Sequence, residues 1–164
     1  MGKALIVLDT SAVISLGCSG KFHLTTKIFY LNSPMRVKAE LDDIAKQDDE
    51  IGKIAKHILG KNFIKFHELP QNLQDAKGEA ESVNLANELK TEAIIIDDIK
   101  SMKKLEAKTK IPIWFSSFII YSLCVQKLIS YEEGWSAIES MKTKREWKKN
   151  LILDYAELLW GELR

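Results

Sequence analysis

Two apolar runs in this chain stop on carboxylates. Ala4–Leu8 reads ALIVL and ends at Asp9; residues 94–96 read III and end at Asp97 and Asp98. Runs of this kind fill buried strands, where a charge is out of place. Between them lie Glu40, in PMRVKAELDD, and Glu79 and Glu81, in GEAESVNLA. Each has a plain structural explanation. Asp9, Thr10 and Ser11 suit a helix cap, and Asp97-Asp98 a strand-to-helix turn. Glu40 suits a solvated helix face, and Glu79 and Glu81 a helix N-terminus, where the dipole favours an anion. Taken together they suggest chemistry. Carboxylates that converge repel one another and take up protons unless cations are present. Mg²⁺ or Mn²⁺, hard ions that choose oxygen ligands, are the expected cofactors. Such an ion lowers the pKa of bound water and makes hydroxide available near neutral pH. His23, His57 and His67 are scattered and Cys18 and Cys124 form no CxxC, so a zinc site is not expected.

The elements that must position these residues alternate. Residues 4–8 read as a strand, 11–17 as a short helix, 21–28 as helix and 29–31 as a short strand. A helix follows with Pro34 at its first position, carrying Val37, Glu40 and Leu41. A further helix carries Ile51, Ile54, Ala55 and Ile58 and ends at Gly60. Residues 62–68 alternate as a strand. Loop at 70–77 leads to a helix at 78–89, a strand at 93–96, a helix at 101–108 and a strand at 111–115. Only helices are expected after Ser116. Strands alternating with helices predict a mainly parallel sheet, in which ligands bind beyond the carboxyl ends of the strands. Asp9, Asp97 and Asp98 stand at those ends.

The bulk numbers exclude several classes. The chain has 164 residues, 46% hydrophobic and 29% charged, and a formal net charge of +1. One domain with a full core is expected, and no global field announces nucleic acid or membrane. Any nucleic-acid surface must come from local clustering. Two free thiols suit a reducing, cytoplasmic compartment. The uncharged stretch 111–126 is shorter than the roughly 17 residues a membrane span needs, and it contains Pro112. No P-loop, GxGxxG or GxSxG occurs. Ser11 stands where a haloacid-dehalogenase-type phosphatase has its second Asp, and the acidic pair follows the wrong strand for a receiver domain.

The ordered segments LDTSAVI, SPMRVKAEL, GEAESVNLA and AIIIDD resemble PIN-domain nucleases, most closely VapC-like archaeal and bacterial members. The resemblance covers about residues 4–128. It implies a three-layer α/β/α fold with a parallel sheet of about five strands, and divalent-metal-dependent cleavage of RNA to 5′-phosphate and 3′-hydroxyl ends. By motif position Asp9 takes the first acidic role and Glu40 the second. Glu79 takes the third, with Glu81 as rival, and Asp98 or Asp97 the fourth. Thr10 or Ser11 would offer a supporting hydroxyl. A toxin ribonuclease with an antitoxin partner is the expected function; a non-catalytic PIN-like module binding RNA or protein is the alternative. Two departures stand out. Met102 and Lys103 occupy positions where similar proteins often carry Arg, and Ser116-Ser117 replaces a common Gly-Thr.

Lys100, Lys103 and Lys104 share a helix face beside the acidic pair and are candidate RNA phosphate contacts. MKTKREWKK surrounds Trp147 with cations, as a solvated amphipathic helix or a stacking patch would. Residues 129–164 are expected as a helical extension packed on the 1–128 domain. The apolar stripe Leu151, Ile152, Tyr155, Leu158, Leu159 and Trp160 is expected to pack on that domain or on a second subunit, and a homodimer is the expectation.

Overall fold

The computed structural model describes residues 2–75 and 80–162. Five strands form one parallel sheet: β1 (Ala4–Leu8), β2 (Phe29–Pro34), β3 (Lys65–His67), β4 (Ala93–Ile95) and β5 (Ile113–Trp114), in the order β3-β2-β1-β4-β5. The helices are α1 (Thr10–Cys18), α2 (Phe22–Thr25), α3 (Met35–Ile44), α4 (Glu50–Gly60), α5 (Glu81–Leu89), α6 (Ile99–Leu105), α7 (Ser116–Val125), α8 (Tyr131–Lys144) and α9 (Leu151–Glu162). Side-chain alternation sorts the sheet into two faces. Ile6, Leu8, Ala93 and Ile95 join a core with α1, α3, α4, α7, α8 and α9. Val7, Ile94 and Ile96 join a second core with α5 and Leu105 of α6. This is the expected α/β arrangement, a parallel sheet covered on both faces. Among the described residues no helix is long and apolar enough to cross a membrane.

Several elements differ from their sequence patterns for local reasons. The helix expected at 21–28 shrinks to α2, because the Thr25 and Thr26 hydroxyls donate to the backbone carbonyls of Phe22 and His23 and compete with the helix. β2 runs three residues past its expected end. Asn32, Ser33 and Pro34 pair with Lys65, Phe66 and His67, so Pro34 caps α3 in extended conformation instead of opening it. The Ser33 hydroxyl donates to the Leu8 carbonyl at 2.7 Å, fixing that strand end against β1. The strand expected at 62–68 is trimmed to β3, because Asn62 adopts a left-handed φ of 51°. α6 begins two residues earlier than expected, capped by Asp98. The helix expected at 78–89 is described from Glu81 onward.

The helices beyond residue 128 share the larger core. Trp160 is 1% exposed. Its ring meets Trp135 and Tyr121 edge-on at 5.8 and 6.0 Å, and its indole N–H donates to the Tyr131 carbonyl at 3.3 Å. Gly134 lets this contact form: a Cβ there would lie 2.3 Å from Cys124 Sγ and 2.9 Å from the Trp160 ring. Ile152, Leu159 and Trp160 thus turn the apolar stripe of α9 inward. Leu151 and Leu158 remain exposed, with Tyr155 half-buried.

Candidate active site

The carboxyl ends of β1 and β4, the two central neighbours, are stitched together. Asp9 N–H donates to the Ile95 carbonyl at 3.0 Å. The Ser11 hydroxyl, in the first turn of α1, accepts from Asp97 N–H at 3.0 Å and donates to Asp9 Oδ2 at 3.4 Å. A third element arrives with α5, whose Ser82 hydroxyl donates to Asp9 Oδ1 at 2.9 Å. Both Asp9 oxygens are therefore held by hydroxyls from two helices, which fixes the carboxylate's rotamer.

Glu40 comes from the middle of α3. Its Oε2 accepts from the Thr10 hydroxyl, and its Oε1 lies 3.2 Å from Arg36 Nε, one turn earlier. Glu40 is close enough to Asp9 to act on it electrostatically. Burial pushes the Asp9 carboxyl above its ordinary range, the Ser82 bond opposes that rise, and the charge of Glu40 adds to it. The structure thus brings together Asp9, Thr10, Ser11 and Glu40.

The acidic pair divides into two different jobs. Asp97 is buried, and both its oxygens are taken by Ser116, from the backbone N–H at 2.8 Å and from the hydroxyl. The Ser15 hydroxyl lies within hydrogen-bonding reach as well. Burial drives its carboxyl upward, and the Ser116 bonds oppose this. Asp97 therefore ties the end of β4 to the start of α7. Asp98 caps α6: Oδ1 accepts from the N–H groups of Lys100 and Ser101 at 3.0 and 3.3 Å, and Oδ2 from the Ser101 hydroxyl at 2.8 Å. Partial burial works upward on it, but the bonds from Ser101 and Lys100 win and hold it below its ordinary range. Asp98 Oδ1 is filled by its two backbone donors, whereas Asp98 Oδ2 retains a lone pair that a cation could take.

Glu81 is buried and turned to its own loop. Its Oε1 accepts from Asp75 N–H at 3.2 Å, while Asp75 Oδ2 accepts from Ala80 N–H at 3.1 Å. Glu79 lies outside the described residues. Among the described residues no three His, Cys, Asp or Glu side chains stand together as a ready metal shell. The donor chemistry does fit a hard divalent ion. The groups at Asp9 are all oxygen, and two carboxylates repel one another there. Lys100, Lys103 and Lys104 are exposed on and around α6, beside the Asp98 cap.

Sequence reasoning missed Ser82 and Ser116 as partners of the acidic groups; Arg145, read from the sequence as one of the cations around Trp147, lies within electrostatic reach of Asp97. Ser116 was visible as a departure from the common Gly-Thr. Its tie to a carboxylate 19 positions earlier was not, because nothing in a linear pattern reports it.

Comparison with known proteins supplies an independent finding. The family model described as a PIN domain, DUF3368, matches residues 5–161. No curated protein matches. The match extends over nearly the whole chain, α8 and α9 included, and agrees with the α/β fold and its five-stranded parallel sheet. The chain belongs to the PIN-domain family, whose members are generally nucleases.

Proposed function

We propose that this protein is a Mg²⁺- or Mn²⁺-dependent endoribonuclease and that it acts as the toxin of a toxin–antitoxin pair. The observation that supports this best is the Asp9–Glu40 pair. A carboxylate is kept partly buried, ordered by Ser82 and Ser11, and set against a second carboxylate at the end of the central strand. Arg36 pairs with one Glu40 oxygen only, and a bound cation would relieve the remaining repulsion between the two carboxylates. Asp9 and Glu40 would hold the ion. Glu79, three residues ahead of Ser82, is the candidate third ligand, and Asp97 or Asp98 the fourth. When bound, such an ion acidifies water and neutralises charge developing at a phosphodiester.

The chain's own groups do the positioning. Ser82 and Ser11 fix the Asp9 oxygens, and Thr10 and Arg36 fix those of Glu40. Thr10 also links β1's tip to α3, so both carboxylates are ordered before substrate arrives. Lys100, Lys103 and Lys104 offset the repulsion between an acidic pocket and an incoming phosphate chain.

One observation favours a second reading, a non-catalytic PIN-like module: both members of the acidic pair already serve structural hydrogen bonds. An RNA-cleavage assay separates the two. Single-stranded RNA incubated with the protein and Mn²⁺ or Mg²⁺ should yield fragments with 5′-phosphate ends, and EDTA should stop the reaction. RNA bound but uncut under every metal condition would leave the binding module.

A further inference from the structure

α8 ends on a turn that glycine ordinarily makes, and here glutamate makes it. Glu146 has a left-handed φ of 52°. Trp147 N–H donates to the Lys142 carbonyl at 2.9 Å and Glu146 N–H to that of Thr143 at 3.1 Å. Those paired bonds are a Schellman stop: Arg145 closes the last turn of α8, its N–H donating to the Met141 carbonyl at 2.9 Å, and the left-handed turn after it reverses the chain and brings Trp147 beside Arg145 near the acidic pair.

There they wall a cavity of about 500 Å³, a size suited to a small ligand. Its lining includes Ser11, Asp97, Lys100, Arg145, Trp147 and Asn150. The charges are mixed: a guanidinium and an ammonium stand beside the acidic pair, with an indole next to them. Arg145 is half-buried, and its Nε is buried with no hydrogen-bond partner among the described residues. A buried donor left unpaired is costly, and a planar guanidinium is suited to phosphate oxygens. The Lys100 side chain is exposed and belongs to the helix that Asp98 caps. An indole next to two cations provides a stacking face for a base together with charge for its phosphate.

We propose that this cavity is a nucleotide subsite for single-stranded RNA, in which Arg145 and Lys100 take a phosphate and Trp147 stacks a base. It rests on the nuclease reading of the adjoining carboxylates. The C-terminal helices would then complete the substrate groove, and Arg145 would supply from α8 the cation that Met102 and Lys103 do not provide as arginine.

The test is binding without metal. A fluorescein-labelled single-stranded hexaribonucleotide is titrated by anisotropy in EDTA over a range of salt. Arg145→Gln should weaken binding about tenfold and lower the salt slope by about 0.7. Arg145→Lys should keep that slope. Trp147→Leu should weaken binding about tenfold with the slope unchanged, and should remove fluorescence quenching by the unlabelled oligonucleotide. Lys100→Ala alters an exposed side chain, cannot plausibly unfold the protein, and should repeat the Arg145→Gln slope change. An arginine that merely offsets Asp97 would change melting temperature and leave the slope alone. Wild-type affinity and slope in all four variants, or no RNA binding by wild type, overturns the subsite. RNA cut with unchanged KM and kcat in Lys100→Ala and Arg145→Gln would discard the subsite and keep the nuclease. RNA bound through these residues but never cut would keep the subsite and discard the nuclease.

Discussion

Asp9→Asn should cut RNA about 10³-fold more slowly than wild type, yet melt at a higher temperature in EDTA. Loss of a group that merely supports a metal ligand costs about 10–100-fold, so loss of a direct ligand should cost more. The stability gain follows from the direction of the Asp9 shift. Burial first, and the charge of Glu40 after it, raise its carboxyl above the ordinary 3.8. The folded protein therefore prefers the protonated form. That contribution to stability is fully present below pH 3.8 and is lost as pH rises through the raised folded value. At neutral pH the wild type carries the cost of an ionised, repelled carboxylate, and asparagine removes it. The advantage of the variant should shrink toward acid pH. Mn²⁺ should reverse the order. An ion at about 100 times its Kd adds about 2.7 kcal/mol to a protein that binds it only when folded. For a chain of this size that is a rise of about 5–10 °C. Thermal scans at pH 5 and pH 7.5, with and without MnCl₂, read all of this. Equal Mn²⁺ shifts in wild type and Asp9→Asn would remove Asp9 from any metal site.

Trp160→Ala should destabilise the whole molecule, not just α9. The side chain is almost wholly buried, contacts rings from α7 and α8, and loses both a large hydrophobic surface and an indole hydrogen bond on truncation. Substitutions of this kind cost about 3–5 kcal/mol, or about 6–20 °C in this size class. Urea unfolding followed by far-ultraviolet circular dichroism should show one transition at a lower midpoint. A loss below about 1 kcal/mol, or a separate early transition, would mean that the last helix is a removable appendage and not part of the core.

The fold was largely legible because its signals are periodic. Apolar runs such as ALIVL and III mark central strands, and their acidic ends mark the sheet edge where a site would sit. What stayed hidden depends on geometry rather than pattern. Pro34 looked like a helix opener, but pairing with β3 keeps it extended. Thr25 and Thr26 look neutral in a helical stretch until their hydroxyls return to their own backbone. At the site, Asp9 and Glu40 could be placed by their positions in the motifs, and the structure brings them together. Asp97 and Asp98 could not be told apart, since adjacent residues at a strand end differ only in which way the backbone turns them. The placement of Trp147 beside Arg145 depends on a left-handed turn at Glu146, and no propensity marks glutamate for that conformation.

The sheet order also says how the molecule comes apart. β1, nearly the first segment of the chain, lies in the middle of the sheet and pairs with β4, Val7 opposite Ile94, while the edges are the three-residue β3 and the two-residue β5. Closing so long a loop delays folding, so the tips of β1 and β4 form late, together with the rest of the sheet. Short edge strands fray first, and central amides are released only with global opening. In hydrogen exchange the amide of Asp9, bonded to Ile95, should fall in the slowest class and the β5 amides in the fast one. Breathing at the edges thus leaves the carboxylate-bearing centre assembled, and the candidate site persists as long as the native state does.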